Sequence, residues 1–142
     1  MKVTSSLRTD VGQTRDSNED FMLSDQTLNA FVVCDGVGGH EHGEVASSEA
    51  AHYTIEYLRE HRKLIEDFVD GPDSREALTD LLSQAVQGAG KKIWNLAHNS
   101  SPATMRMGTT LTLLVIIADK GFMAHIGDSR LVLQRNQETH QL

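Results

Sequence analysis

Carboxylates set beside glycine or small polar residues recur at separated points of this 142-residue sequence. Asp35 closes an apolar run, Ala30-Phe31-Val32-Val33-Cys34, and a glycine-dense stretch follows it, with Gly36, Gly38, Gly39 and Gly43. Glu19 and Asp20 stand upstream behind Asn18, and Asp128 stands far downstream in Gly127-Asp128-Ser129-Arg130. Taken singly, each reads as a solvated turn acid, because aspartate readily caps nearby backbone N–H groups. Taken together they read as a site for a hard cation such as Mg2+ or Mn2+, which prefers carboxylate, carbonyl and water oxygens. A glycine turn also lets the Gly36 carbonyl join such a site. Arg15, just ahead of the first acids, offers a planar fork that takes two phosphate oxygens at once. A metal with an arginine is the pairing that phosphoryl chemistry uses.

Other motifs carry less. His40 and His42 form an H-x-H pair with no cysteine partner nearby, which argues against zinc. Glu41 and Glu44 read as solvated. Gly36-Val37-Gly38-Gly39 is not followed by Gly-Lys-Ser/Thr, so it is not a nucleotide-phosphate loop. Cys34 is the single cysteine, which excludes an internal disulfide and a multi-cysteine metal site. Within an apolar run it reads as a small buried hydrophobe.

The chain is of single-domain size, and a chain of this length buries roughly two thirds of its unfolded surface. With 39% hydrophobic and 23% charged residues and only 2 prolines it reads as globular, not disordered. The formal net charge is -7, from 20 acids and 13 bases, and no basic run occurs. Both argue against nucleic-acid binding through phosphates. The N-terminus lacks an apolar signal-peptide core. The longest apolar run, residues 111–118, is far short of the ~20 residues a membrane span needs. A cytoplasmic protein without membrane contact is expected.

The elements that must position these residues follow from periodicity. Residues 2–12 alternate through Val3, Ser5, Leu7, Thr9 and Val11, as a half-buried strand does. Residues 12–19 read as a loop, residues 20–23 and 30–34 as strands, and residues 26–29 as the turn between them. From Glu44 the spacing becomes helical, through Val45, Ala46, Ala50, Tyr53, Tyr57 and Leu58, and predicts a helix over 44–68 with a break near His61. Gly71-Pro72-Asp73-Ser74 punctuates, with Asp73 or Ser74 as N-cap. A second helix carries Leu78, Leu81, Leu82, Ala85, Val86, Ala89, Ile93 and Leu96, and residues 99–106 form a loop. Residues 109–118, β-branched and apolar, predict a central strand. Residues 119–121 are a hairpin turn, residues 122–126 pair back, and residues 130–135 form a last strand. This order predicts an α+β fold of antiparallel sheets covered by helices rather than βαβ alternation.

Several spaced motifs in this order resemble the N-terminal half of a bacterial type 2C (PPM) protein phosphatase, a metal-dependent serine/threonine phosphatase. They are residues 12–20 (GQTRDSNED), 33–40 (VCDGVGGH), 43–47 (GEVAS), 107–110 (MGTT) and 125–130 (HIGDSR). The resemblance covers essentially the whole chain, residues 1–142, as part of one domain. It implies an antiparallel β-sandwich flanked by helices in α-β-β-α order. It implies two Mn2+ or Mg2+ ions bridged by Asp35, with Glu19 and the Gly36 carbonyl serving the second. It implies Asp20 in support, Asp128 helping to hold a third, weaker ion, and Arg15 on the substrate phosphate. The activity implied is hydrolysis of phosphoserine or phosphothreonine in a protein substrate by a metal-activated water. Thr109 and Thr110 are given structural roles only.

Two departures matter. Some eukaryotic members carry a histidine after Asp-Gly as general acid; here that position is Val37, and His40 need not inherit the role. The family's later Ser-Asp-Gly and Asp-Asn motifs, whose aspartates ligate the first metal, do not occur in this sequence. The chain is therefore expected to be a partial domain. Two other readings stay open beside the enzyme: a catalytically inactive fragment or regulatory interaction module of the same fold, and a simple Mg2+- or Ca2+-binding domain. Strands 109–118 and 122–135 are expected to lack partners, and unpaired apolar edges favour self-association.

Overall fold

The first ordered element is the hairpin that ends in the acids. In the structure, a computed structural model describing residues 2–38, 42–100 and 106–142, β1 (Asp20–Asp25) pairs antiparallel with β2 (Ala30–Val37). The turn between them is built by Asp25, whose Oδ1 accepts the backbone N–H groups of Thr27 at 2.9 Å and Leu28 at 3.1 Å. Asn29 closes it in the left-handed region, φ 47°. Asparagine tolerates that conformation better than most residues.

Three helices follow, where the periodicity predicts two with a break in the first. α1 (Gly43–Glu60) stops at His61, and a short α2 (Arg62–Glu66) continues beyond the break. α3 (Pro72–Ser100) opens on Pro72 rather than on an Asp73 or Ser74 cap. Proline suits a first helical position because its missing N–H has no partner there in any case. α3 also runs two residues into the segment expected to be loop; residues 101–105 of that loop, with Gly39, His40 and Glu41, lie outside the described residues.

The return to strand comes in pieces. β3 (Gly108–Thr109) pairs with Gly36 and Val37, and β4 (Leu111–Ile117) pairs with the rest of β2. β5 (Lys120–Ile126) folds back on β4. Lys120 already faces Ile117 across the ladder, so the turn is Ala118 and Asp119, one residue earlier than expected. Ala118 carries the positive φ of 56° there. The main sheet is five-stranded in the order β1-β2-β4-β5, with β3 beside the end of β2. β4 is interior, as its apolar sequence predicts.

Alternation decides which face is covered. Ala30, Val32 and Cys34 of β2 and Leu111, Leu113 and Val115 of β4 are buried. α1 and α3 pack against this face and against each other. α1 meets the sheet through small residues, Ala46, Ser47, Ala50 and Ala51, which let helix and sheet come close. Its larger buried side chains, Ile55 and Leu58, interlock with the α3 stripe of Leu78, Leu81, Leu82, Ala85, Ala89 and Ile93. On the opposite face Val33 and Met123 remain about two-fifths exposed.

Three expectations need correction. Residues 2–11 form no strand, and all of them but the half-buried Val3 are exposed. An alternating segment becomes a strand only beside a partner, and neither free sheet edge, β1 or β5, takes it up. β2 does not end at Asp35 but runs on to Val37, because β3 supplies a partner there. A further strand, β7 (Glu138–Gln141), pairs with β6 (Val132–Arg135) as a separate two-stranded sheet. β7 is polar and fully exposed, so no hydrophobic alternation announces it. The fold is α+β with antiparallel sheets. The layers present among the described residues are helices, the main sheet and the β6–β7 hairpin.

Candidate functional site

The acids meet where β1 begins and β2 ends. Asp20 and Asp35 are direct cross-strand partners. The register therefore places their side chains on one face of the sheet, the face that α1 and α3 leave uncovered. The loop that leads into β1 brings Arg15 and Glu19 to the same place, and the turn after β5 brings Asp128. All of these residues, with Gly36, line one cleft of about 560 Å³. Asp10, Asn18 and Thr110 line it too.

Local bonds hold the loop in place. Asn18 Nδ2 donates to Thr9 Oγ1 at 2.7 Å, and Asn18 Oδ1 accepts the Asp20 N–H at 3.1 Å. The Glu19 carbonyl accepts from the Gly36 N–H at 3.1 Å and from the Ser47 hydroxyl at 2.6 Å. A single carbonyl thus joins the loop, the end of β2 and the first turns of α1. Gly36 is required by this approach. A methyl group there would overlap the Gly43 carbonyl and lie 2.7 Å from the Glu19 carbonyl oxygen. The Glu19 carboxylate itself rests against Gly43, the first residue of α1; a Cβ at Gly43 would lie 2.6 Å from Glu19 Cδ. The partial positive charge of a helix N-terminus favours a carboxylate there.

Glu44, expected to be solvated, is half-buried, and its Oε2 has no hydrogen-bond partner among the described residues. Val37, at the position where a general acid would stand, lines the cleft, is 63% exposed and can donate no proton.

The electrostatics reflect crowding of like charges. The Asp35 carboxyl is pushed above its ordinary range, first by loss of solvation, then by its contact with Asp20 and the charge of Asp128. The Arg15 guanidinium pulls it partly back. One position back along the strand, the Cys34 thiol faces the core, and burial pushes it up to about 12. Cys34 is thus an inert packing residue, as the apolar run predicts.

The donors at this cleft are all oxygens in the acidic residues and the Gly36 carbonyl. By type they suit a hard divalent cation rather than zinc. Among the described residues, no three His, Cys, Asp or Glu side chains are already placed to hold an ion. The fit is therefore one of donor chemistry and excess negative charge, with the carboxylates needing to close in. The sequence reading missed Asp10 and gave Thr110 no part in the site. A hydroxyl residue just ahead of a largely apolar strand is the signal that marks Thr110.

Comparison with known proteins agrees with the geometry. The family model described as Protein phosphatase 2C matches residues 11–142. The chain belongs to the protein phosphatase 2C family. Among its relatives in that family, protein phosphatase PhpP of Streptococcus pneumoniae is 34% identical over 141 residues, 96% of this chain and 52% of the relative. The serine/threonine phosphatase stp of Listeria monocytogenes is 29% identical over 140 residues, 96% of this chain and 52% of the relative. The fold matches the Mycobacterium tuberculosis serine/threonine phosphatase PstP/Ppp with a TM-score of 0.73 and 33% identity, over 95% of this chain and 51% of that one. It matches the catalytic domain of PstP in complex with two manganese ions at a TM-score of 0.73 and 32% identity, over 95% of this chain and 52% of that one. This protein phosphatase 2C chain spans about half the length of the relatives it matches.

Proposed function

We propose that the chain is the N-terminal part of a protein phosphatase 2C domain that hydrolyses phosphoserine and phosphothreonine in protein substrates, with Mn2+ or Mg2+ as cofactor. The observation that supports this most is the convergence of Arg15, Glu19, Asp20, Asp35, Gly36 and Asp128 on one cleft. In this reading Asp35 would be shared by two cations, Glu19 and the Gly36 carbonyl would help to hold the second, and Asp128 would help to hold a third. Asp20 supports Asp35 across the β1–β2 pair. When bound, such cations supply positive charge toward phosphoryl oxygens and acidify water.

The chain's own residues do the rest. Arg15 binds two oxygens of the substrate phosphate and orients it. Asp35, short of solvation and beside the Asp20 and Asp128 charges, is stabilised in its charged form by a bound cation. The net charge of -7 opposes nucleic-acid binding. Among the described residues, no helix is long and apolar enough to cross a membrane. A cytoplasmic setting belongs to the same proposal.

Self-association is proposed as well, through the free edges of β1 and β5 and the uncovered apolar face that includes Val33 and Met123. β4 takes no part in this, because it is paired on both sides. A monomer by light scattering at moderate concentration would refute that element.

Mn2+-dependent hydrolysis of a phosphothreonine peptide by this chain, beside Asp35→Asn, tests the main reading. Turnover lost in the variant supports it. Equal turnover in both overturns the role of Asp35. No turnover in the wild type, with Mn2+ bound, favours the inactive interaction module.

A further inference from the structure

The ladder between β2 and the β3–β4 segment contains an exchange at one position. Val33 faces Thr112 and Gly36 faces Thr109 in a single register, so Asp35 falls opposite Thr110. The Thr110 N–H donates to the Asp35 carbonyl at 2.9 Å, as an antiparallel pair requires. The return bond does not reach the Thr110 carbonyl. Instead the Asp35 N–H donates to Thr110 Oγ1 at 2.9 Å. The Thr110 carbonyl accepts from Thr109 Oγ1 at 2.8 Å.

The hydroxyl that accepts from Asp35 still carries its own hydrogen, and Ser129 Oγ lies 2.7 Å away. Ser129 directly follows Asp128. The Thr110 side chain also presses on the same turn, since a Cβ at Gly127 would lie 2.6 Å from Thr110 Cγ2. Gly127 has φ +106°, which other residues rarely adopt. A second link comes from His125, whose Nε2 donates to the Gly127 carbonyl at 2.9 Å, while Nδ1 faces Thr112 Oγ1 at 3.0 Å. Thr110 directly, and Thr112 through His125, thus hold the turn that carries Asp128; of the two only Thr110 also bonds Asp35, whose carbonyl lies 3.1 Å from Thr109 Oγ1 as well.

We propose that Thr110 is a positioning residue whose hydroxyl sets the separation of Asp35 and Asp128 for cation binding. This rests on the reading of those two aspartates as metal ligands. Valine at 110 keeps the shape but removes the junction. The Asp35 N–H must then turn to the carbonyl of residue 110, which rotates the Asp35 peptide, and Ser129 is released. Serine keeps the hydroxyl and both bonds.

The test compares wild type, Thr110→Val, Thr110→Ser and Ser129→Ala. In the metal-free chains, amide exchange at Asp35 should quicken by about tenfold in T110V, the order expected for one lost hydrogen bond. The amide resonances of residues 127–129 should shift in T110V and S129A and stay in place in T110S. Mn2+ affinity, read from the free-ion electron paramagnetic resonance signal, should fall by about tenfold in T110V and by less than about twofold in T110S. If T110V fails to fold, S129A carries the test: the turn resonances should shift and Mn2+ affinity fall while Asp35 exchange stays slow. Unchanged exchange and resonances in folded T110V overturn the junction. Wild-type binding with unchanged affinity in T110V overturns the positioning role alone. No Mn2+ binding by the wild type overturns the metal reading and the positioning role with it.

Discussion

Asp25→Asn should cost the fold about 1.5–3 kcal/mol at neutral pH, from a charge that has nothing to do with the cleft. Asp25 is only 5% exposed, at the end of β1. Its Oδ1 accepts from Thr27 and Leu28, and its Oδ2 accepts from Arg59 Nε at 2.6 Å, in the last turn of α1. Burial alone would raise its pKa. The bonds from Thr27, Arg59 and Leu28 outweigh burial and lower it from 3.8 to about 2. Because the folded pKa is the lower one, the stabilisation is complete above the unfolded value and is lost as pH falls through the folded value. At ~1.4 kcal/mol per unit the shift amounts to roughly 2 kcal/mol, and the largely exposed Arg59 reduces it to about 1–2. Asparagine keeps the outline and the oxygen acceptor. Its amide, however, sets a donor against the guanidinium. Urea denaturation followed by circular dichroism should show the full deficit of D25N at pH 7. The gap to wild type should narrow by about 1–2 kcal/mol as pH drops from about 4 toward about 2. A gap that stays constant over that window would refute the argument, because it would mean that packing, not charge, carries the cost.

Three other outcomes are expected. The raised proton affinity of Asp35 means that protons compete with Mn2+ starting at a higher pH than for an ordinary carboxylate, so Mn2+ affinity should weaken on mild acidification; titration across pH checks it, and Asp35→Asn should lose most of the binding and move the remaining dependence to lower pH. Gly36→Ala should destabilise by more than about 2 kcal/mol and displace the Glu19 and Gly43 amide resonances, since its methyl has no room between two backbone carbonyls. Gly90→Ala should instead raise the melting temperature by an amount equivalent to about 0.5–1 kcal/mol. It sits in α3 with no atom within 4 Å of the added carbon, and alanine is the better helix former.

Much of this architecture is local in origin, and was therefore legible in the residues. The β1–β2 turn follows from Asp25 and Asn29. The break at His61, the apolar stripe of α3 and the β4–β5 hairpin follow from spacing alone. The convergence of the acids was legible only from their combination, because each taken singly reads as an ordinary turn acid while together, at strand ends with Arg15, they suit a hard cation. What the sequence could not decide was anything that depends on a neighbour. Residues 2–11 alternate like a strand but have no sheet edge to join. β2 extends past Asp35 only because β3 lies beside it. β7 exists because Asn136 and Gln137, with φ 51° and 67°, turn the chain back onto β6, and its polar side chains give no pattern of their own. Asp10 and Thr110 reach the cleft from segments remote in sequence from Asp35. Periodicity reports which face of an element is buried. Which element covers that face, and which hydroxyl stands in for a ladder carbonyl, is set only when distant segments meet.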